Sequence, residues 1–410
     1  MSITVRPIGE AEWPDFVAVA YEAFSSTYPL EITDRWREIM EFDRLVAAFD
    51  DDLAVGCAGT LSFHMTVPGG PIPVAGVTAV GVLSSHRRRG VLTALMTHQL
   101  HGLHHRGGEA VAALYASEAG IYGRFGYGRA SDALSFRIPT HAAFTRAAPA
   151  DATLRLRLAR PADALAALRR VYDAVQPGRP GLYGRSEAFW RAEILPDTDY
   201  DQGGMGPLRC LIAEDAAGPR GYALFRAKSG WNEHGVADGE VRLMELHACD
   251  PAAYALVWRG VLDRDLCAVV HAGRRPSDDA IVHLLAEPRQ ASAVWIDDLW
   301  VRLVDVDRAL AARAYAAPAD LVVEVEDEVC PWNAGRWRLK TAGGAESCER
   351  SEAPADLTMP VGVLGAAYLG GRPLSAAAEA GLVREHRAGA LRELSAAMSW
   401  DPAPWGCRVF

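Results

Sequence analysis

Apolar and polar residues recur along this chain with two periods, and the period switches often. In the first third, "ITVRPI" alternates as a short strand would, and "EAEWPDFVAVAYEAF" gathers Phe16, Val17, Ala20 and Phe24 near one face of a helix. "RLVAAFDDDLAVGCAGTLSFHMTV" reads as a hairpin that turns at Asp50-Asp51-Asp52, and a turn explains those carboxylates better than a metal site does. "VAGVTAVGVL" is a strand, and "VLTALMTHQLHGLHHRG" is a helix that opens directly after a basic turn. "AVAALYAS" is continuous in small and branched apolar residues, the pattern of a buried central strand.

The pattern lapses in "THAAFTRAAPADAT" and then restarts. Strand "LRLRLAR" and helix "PADALAALRRVYDAV" are followed by strands "RCLIAED", "GYALFRAK" and "EVRLMELHA" and by helix "PAAYALVWRGVL". This order echoes the first third and predicts an internal structural duplication. At the equivalent turn, Val77–Val82 leads into His86-Arg87-Arg88-Arg89-Gly90, whereas Val241–Leu246 leads into Asp250-Pro251-Ala252-Ala253-Tyr254. The second copy keeps the strand and helix but lacks the arginines and the glycine, so it is expected to have lost a ligand. The last part differs again. "LVVEVEDEV" alternates as a strand with one wet face, "PWNAG" turns into strand "RWRLK", and "PVGVLGAAYLGG" and "LSAAAEAGLVREH" read as helices. The expected domains are 1–148, 149–297 and 298–410.

Composition narrows the function classes. The chain has 410 residues, half of them hydrophobic, and a formal net charge of -10. That balance excludes nucleic acid and anionic membranes as partners and mildly favours cationic small molecules. "MSITVRPIGE" has neither a basic nor an apolar leader segment, and no run is long enough to cross a bilayer, so the expected location is cytoplasmic. Seven scattered cysteines without a C-x-x-C pair predict buried free thiols, with no disulfide framework and no zinc site.

Against that acidic background, three adjacent arginines before Gly90 need a reason. A glycine after a basic turn, opening a helix, is a device for binding phosphate. The unpaired N–H groups of the first helical turn point at the anion, and the helix dipole adds partial positive charge. Arginine adds charge-assisted contacts, often bidentate. The alternative is a solvated basic turn without a ligand. Neither a Walker loop nor a dinucleotide G-x-G-x-x-G fingerprint is present at this turn.

"VTAVGVLSSHRRRGV" resembles the acyl-CoA-binding segment of the GNAT N-acetyltransferases, R/Q-x-x-G-x-G/A after a strand. Arg87, Arg88, Arg89, Gly90 and Val91 fit, while Leu92 stands where glycine or alanine is commoner. "AGIYGRFGY" resembles the later GNAT element A-x-x-x-Y-x-x-x-G-F, with Gly126-Tyr127 at its Gly-Phe position. "VTAVGVLSSHRRRGVLTALM" together with "ALYASEAGIYGRFGYG" is similar to the Eis (enhanced intracellular survival) acetyltransferases of actinobacteria. The resemblance implies an α/β (α+β) chain in which two tandem GNAT-like mixed-sheet domains precede a sterol-carrier-like α+β domain. It also implies a homo-oligomer, a hexamer, that uses acetyl-CoA and no metal to acetylate a small-molecule amine.

The resemblance further implies that Val80, Gly81 and Val82 hold acetyl-CoA through their backbone. Arg87, Arg88, Arg89, Gly90, Val91, Leu92 and Thr93 would take its pyrophosphate, and Ser117 and Glu118 would also contact it. Tyr122 is then the general acid, and the carboxylate of the final residue, Phe410, is the base. Acyl transfer to an amine needs these parts: N–H groups for the developing oxyanion, a proton for the leaving thiolate, and an acceptor for the amine proton. Pro402, Pro404 and Trp405 would pin the terminal segment.

Other candidates carry alternatives. His98, His101 and His105 share one helix face and could hold a metal, but no Cys, Asp or Glu nearby completes a site, and a solvated face is the competing reading. Ser117 lies outside G-x-S-x-G, against a hydrolase elbow. Glu31, Asp34 and Trp36 with Phe24 could form an acidic, aromatic acceptor pocket, or a surface loop around a half-buried tryptophan. Two function classes follow. One is an enzyme acetylating polycationic small molecules such as aminoglycosides, or lysine side chains. The other is a carrier of an apolar ligand with the GNAT regions as scaffold. The intact arginine turn and Tyr122 favour the enzyme.

Overall fold

The computed structural model describes residues 3–341 and 346–410. The apolar runs of the first third become β1 (Ile3–Pro7), α1 (Trp13–Ala23), α2 (Leu30–Arg37), β2 (Val46–Asp50), β3 (Leu53–Val67) and β4 (Gly70–Val82). α3 (Val91–Arg106), β5 (Val111–Tyr115), α4 (Ala119–Tyr122) and β6 (Gly128–Arg129) follow. The hairpin between β2 and β3 turns at the aspartates, where Asp51 takes a left-handed φ of 53° that a short polar side chain tolerates. α3 buries Val91, Leu95, Met96, Leu100 and Leu103, a stripe at helical spacing, and ends on left-handed Gly107 with His104, His105 and Arg106 in its last turn.

The second run gives β7 (Asp132–Pro139), β8 (Arg155–Ala159), α5 (Pro161–Val175), β9 (Arg209–Asp215), β10 (Gly218–Lys228), β11 (Gly239–Ala248), a helix at Pro251–Leu262, β12 (Cys267–Pro276) and β13 (Val294–Asp297). The repeated strand and helix order expected from the sequence is present. The last part holds β14 (Leu299–Leu303), β15 (Ala319–Glu326), β16 (Gly335–Thr341), β17 (Ser347–Arg350), β18 (Leu357–Pro360) and β19 (Arg384–Glu385).

These strands make three sheets, ordered β1-β2-β3-β4-β5-β14-β6, β13-β7-β12-β11-β10-β9-β8 and β17-β16-β15-β18-β19. Two strands leave their neighbours in sequence. β7 pairs antiparallel with β12, and β14 inserts between β5 and β6 of the first sheet. The first sheet thus takes in β14 from after the second run, while β7, which directly follows β6 in sequence, lies in the second sheet. Contacts divide the described chain into two compact units. One comprises residues up to Ser131, Asp297–Pro404 and Val409–Phe410, and the other Asp132–Ile296 with Trp405–Arg408.

Within the first unit, the third sheet is tied to β14 by a fully buried ion pair, Arg302 to Asp327 at 2.7 Å, whose carboxylate also accepts from Asn333 at 3.0 Å. The seven cysteines are free, but Cys249 is exposed and Cys267 only half-buried, so the expectation of buried thiols fails at those two. No described helix is long and apolar enough to cross a membrane.

Candidate active site

The site begins with a fork between two parallel strands. β4 and β5 pair only at Ala75↔Ala112 and Gly76↔Ala113, after which β4 runs on to Val82 and β5 to Tyr115. Past the fork, β4 carries a bulge: Ala79 and Val80 lie opposite the single residue Ala58, and Ala79 has a φ of 51°. Behind the bulge, the Cys57 thiol donates to the Ala79 carbonyl at 3.2 Å. Burial pushes that thiol up to about 12, so it stays protonated.

A cleft of about 690 Å³ opens beyond the bulge. Its walls include Val80, Gly81, Val82, Arg87, Arg88, Gly90, Val91, Leu92, Thr93, Ser117, Glu118 and Tyr122, the residues that the sequence placed together. Ala23, Phe24, Ser25, His86, Ile121 and Arg124 complete it. Of these, Ala23, Ser25, His86, Ile121 and Arg124 were not assigned to the site from the sequence, although His86 lies in the arginine turn and Ile121 and Arg124 lie inside "AGIYGRFGY".

The floor of the cleft is suited to an anion. Gly90 takes a φ of 82° as the residue preceding α3, and no side chain caps the helix there. Arg88 is also left-handed, with a φ of 62°. Left-handed positions at a helix start turn successive N–H groups inward, as in the backbone nests that bind phosphates. No acidic side chain occupies the first turn of α3. Arg89 is the exception among the arginines. It is absent from the cleft walls and lies 3.2 Å from the Asp50 carboxylate, which His86 also approaches at 3.2 Å. Asp50 thus braces the turn from outside.

Tyr122, at the end of α4, is buried, and its ring meets Tyr127 edge-on with centroids 5.9 Å apart. Burial, helped by the charge of Glu118, pushes the phenol up to about 12, so Tyr122 is protonated at neutral pH. Phe410 is not a cleft residue by contact, but it sits at the fork itself. Its carboxylate accepts from Thr78 Oγ1 at 3.0 Å, and its ring lies 4.8 Å from Phe63 and 5.1 Å from Tyr115.

The candidate acceptor residues are not all brought together. Phe24 lines the cleft, while Glu31 and Asp34 lie exposed on α2, a helix where a loop was considered, and Trp36 packs edge-on against Tyr28 at 4.7 Å. Of the histidine face of α3, His98 and His105 are exposed, while His101 and the neighbouring His104 are engaged. His101 Nε2 is 2.9 Å from the Val329 carbonyl, and His104 stacks on Trp332 at 4.0 Å while meeting Asp305 at 2.5 Å.

The equivalent fork in the second copy is built differently. β11 pairs with β12 as far as Leu243↔Ala272 and runs on to Ala248. Beyond that point, Arg275 donates to the Leu246 carbonyl at 3.1 Å and to Asp279 at 2.7 Å, and Tyr254 also bonds Asp279. The helix start is closed by Asp250, whose carboxylate accepts from Ala253 N at 2.9 Å and from Arg220 at 2.8 Å. The protein's own groups fill both the fork and the anion position.

Within the second unit, Glu245, His247 and Cys407 form a buried group with ligand-type atoms within 4.8 Å of one another, which the sequence did not reveal. The Arg185 guanidinium already lies against two of them, 2.8 Å from Glu245 and 3.0 Å from Cys407 Sγ, and supplies the positive charge that a cation would bring. The same unit holds Trp405–Arg408. Trp405 N donates to the Pro180 carbonyl at 2.8 Å, Trp405 Nε1 to Arg274 O at 2.6 Å, and the Tyr183 hydroxyl to Arg408 O at 2.9 Å.

Comparison with known proteins agrees with this architecture. The acetyltransferase (GNAT) domain family matches residues 4–130, a second acetyltransferase (GNAT) family matches 181–303, and the sterol carrier protein domain family matches 306–406. The N-acetyltransferase Eis of Mycobacterium tuberculosis is 32% identical over 413 residues, covering 98% of both chains. This chain belongs to the Eis family of GNAT acetyltransferases. An uncharacterized N-acetyltransferase of Streptomyces avermitilis is 43% identical over 407 residues, 99% of both chains. The crystal structure of Eis1 from Mycobacterium abscessus superposes with a TM-score of 0.84 at 33% identity, covering 99% of this chain and 100% of that one. The chain is thus an acetyltransferase with the family's acetyl-CoA co-substrate, two GNAT domains and a sterol-carrier-like domain.

Proposed function

We propose that this Eis-family enzyme acetylates amines of polycationic small molecules such as aminoglycosides, or lysine side chains, by direct transfer. Tyr122 serves as general acid and the Phe410 carboxylate as base. The reading rests on one observation: the terminal carboxylate is bonded to Thr78, two residues before the Val80–Val82 wall of the cleft. The sequence positions Val80, Gly81, Val82, Arg87, Arg88, Gly90, Val91, Leu92, Thr93, Ser117 and Glu118 are assigned to acetyl-CoA, with Arg89 supporting the turn. The uncapped start of α3 and the cationic Arg87, Arg88 and Arg124 suit its phosphates. Bound acetyl-CoA supplies an electrophilic thioester carbonyl. The three domains of the reading are 1–148, 149–297 and 298–410, with β7 of the first in the second sheet and β14 of the third in the first sheet.

The Phe410 carboxylate removes a proton from the acceptor nitrogen as that nitrogen attacks. Backbone N–H groups of β4 past the bulge stabilise the charge developing on the carbonyl oxygen. Tyr122 donates its proton to the sulfur as the carbon–sulfur bond breaks, leaving an amide and a free thiol. A phenol at about 12 is a weak acid, but burial also disfavours a thiolate in the same cleft, so both acidities move together. Glu31 and Asp34, exposed on α2, suit an approaching cation, and the net charge of -10 attracts one. The homohexameric state and cytoplasmic location belong to the same reading.

Incubation with acetyl-CoA and a panel of amines, with colorimetric detection of free thiol, tests it. Aminoglycosides or lysine peptides should release thiol in step with amide formation. Thiol release that no amine stimulates would overturn the reading in favour of the apolar-ligand carrier.

A further inference from the structure

The terminal carboxylate can act as a base only if something fixes it, because chain ends are ordinarily the most mobile part of a fold. Thr78, Phe63, Tyr115 and Gly76 surround Phe410 within the first unit. The Thr78 hydroxyl donates to a carboxylate oxygen at 3.0 Å, and the ring lies between Phe63 and Tyr115. Gly76 leaves the ring room. A Cβ added at Gly76 would fall 3.0 Å from Phe410 Cε2 and 2.5 Å from Phe63 Cε2, so no larger residue fits without displacing the two rings. Gly76 is the last residue of β4 paired with β5, and Thr78 is the next residue but one, immediately before the bulge. The fork and the socket are therefore one feature of β4.

We propose that Thr78 and Gly76 are positioning residues for the terminal base: Thr78 orients the Phe410 carboxylate, and Gly76 keeps open the slot that seats its ring. This rests on the reading of Phe410 as the base. Thr78 has the geometry for the task. Its hydroxyl is the side-chain donor next to the bulge, and a β-branched side chain on a strand has few rotamers to sample. A threonine hydroxyl donating to a carboxylate oxygen restricts how that carboxylate can turn.

Steady-state kinetics of the full chain test the proposal with Thr78→Val, which keeps the shape and removes the donor. The expected result is a fall in kcat of about tenfold or more, since small misplacements of a reacting group are costly, with the acetyl-CoA KM within about twofold of wild type. Thr78→Ser should restore most of the rate, and Gly76→Ala should lower kcat in the same selective way. In a chain lacking Phe410, Thr78→Val should cause no further loss, because both changes remove the same function. If deletion of Phe410 leaves kcat intact, the terminal-base reading fails and this proposal falls with it. If that deletion is costly but Thr78→Val turns over like wild type, or its loss adds fully to that of the deletion, the proposal alone is overturned.

Discussion

Arg88 and Arg89 are adjacent, but the backbone sends them to different tasks. Arg88 occupies a left-handed conformation, φ 62°, that costs an ordinary residue about 1–2 kcal/mol, and its side chain lines the cleft. Arg89 reaches back to Asp50. A charge-assisted contact contributes roughly 1.5–3 kcal/mol. Arg88→Gln should therefore raise the acetyl-CoA KM about tenfold, while Arg89→Gln leaves it within about twofold and instead lowers thermal stability slightly. Initial rates against acetyl-CoA, with a thermal melt of each variant, check this. An Arg89 effect on KM as large as that of Arg88 would refute the division. The sequence showed the cationic turn and its glycine. It did not show which arginine faces inward, because that depends on a single φ at Arg88. Thr78 was equally hidden: it lies in the quoted "VTAVGV", and nothing in a strand pattern marks a hydroxyl that meets the chain's own end.

Two helices that follow equivalent strands start in different ways. α3 begins at Gly90 with no side chain on its first N–H groups, and the helix at Pro251–Leu262 begins with Asp250 bonded to Ala253 N. An N-cap aspartate satisfies the donors and places a negative charge where a phosphate would sit. The element-level expectation is one CoA per chain in titration calorimetry, carried by the Arg88 turn and weakened about tenfold in Arg88→Gln. Two sites per chain would contradict it. The exchange of "HRRRG" for "DPAAY" was legible, because loss of glycine and gain of aspartate act locally. The plug at Arg275 was not, since its partners Leu246 and Asp279 lie on separate segments of the chain.

At the scale of the whole molecule, the sequence carried the repeat and the distinct last domain through periodicity alone. It did not carry the placement of β7 and β14, because alternation tells which face of a strand is buried and not which strand lies beside it. Nor did it show that Trp405–Arg408 groups with the second unit while Val409–Phe410 groups with the first. That placement makes the end of the chain a built part of the protein and gives the family-based role of Phe410 a physical footing. The most direct measurement is kcat for a chain extended by one glycine after Phe410, which moves the free carboxylate by up to about 3.6 Å and leaves the ring and the cleft in place. The predicted result is a loss of about a hundredfold or more in kcat with an unchanged acetyl-CoA KM. Full turnover by the extended chain would contradict a terminal base and return that role to another group of the cleft.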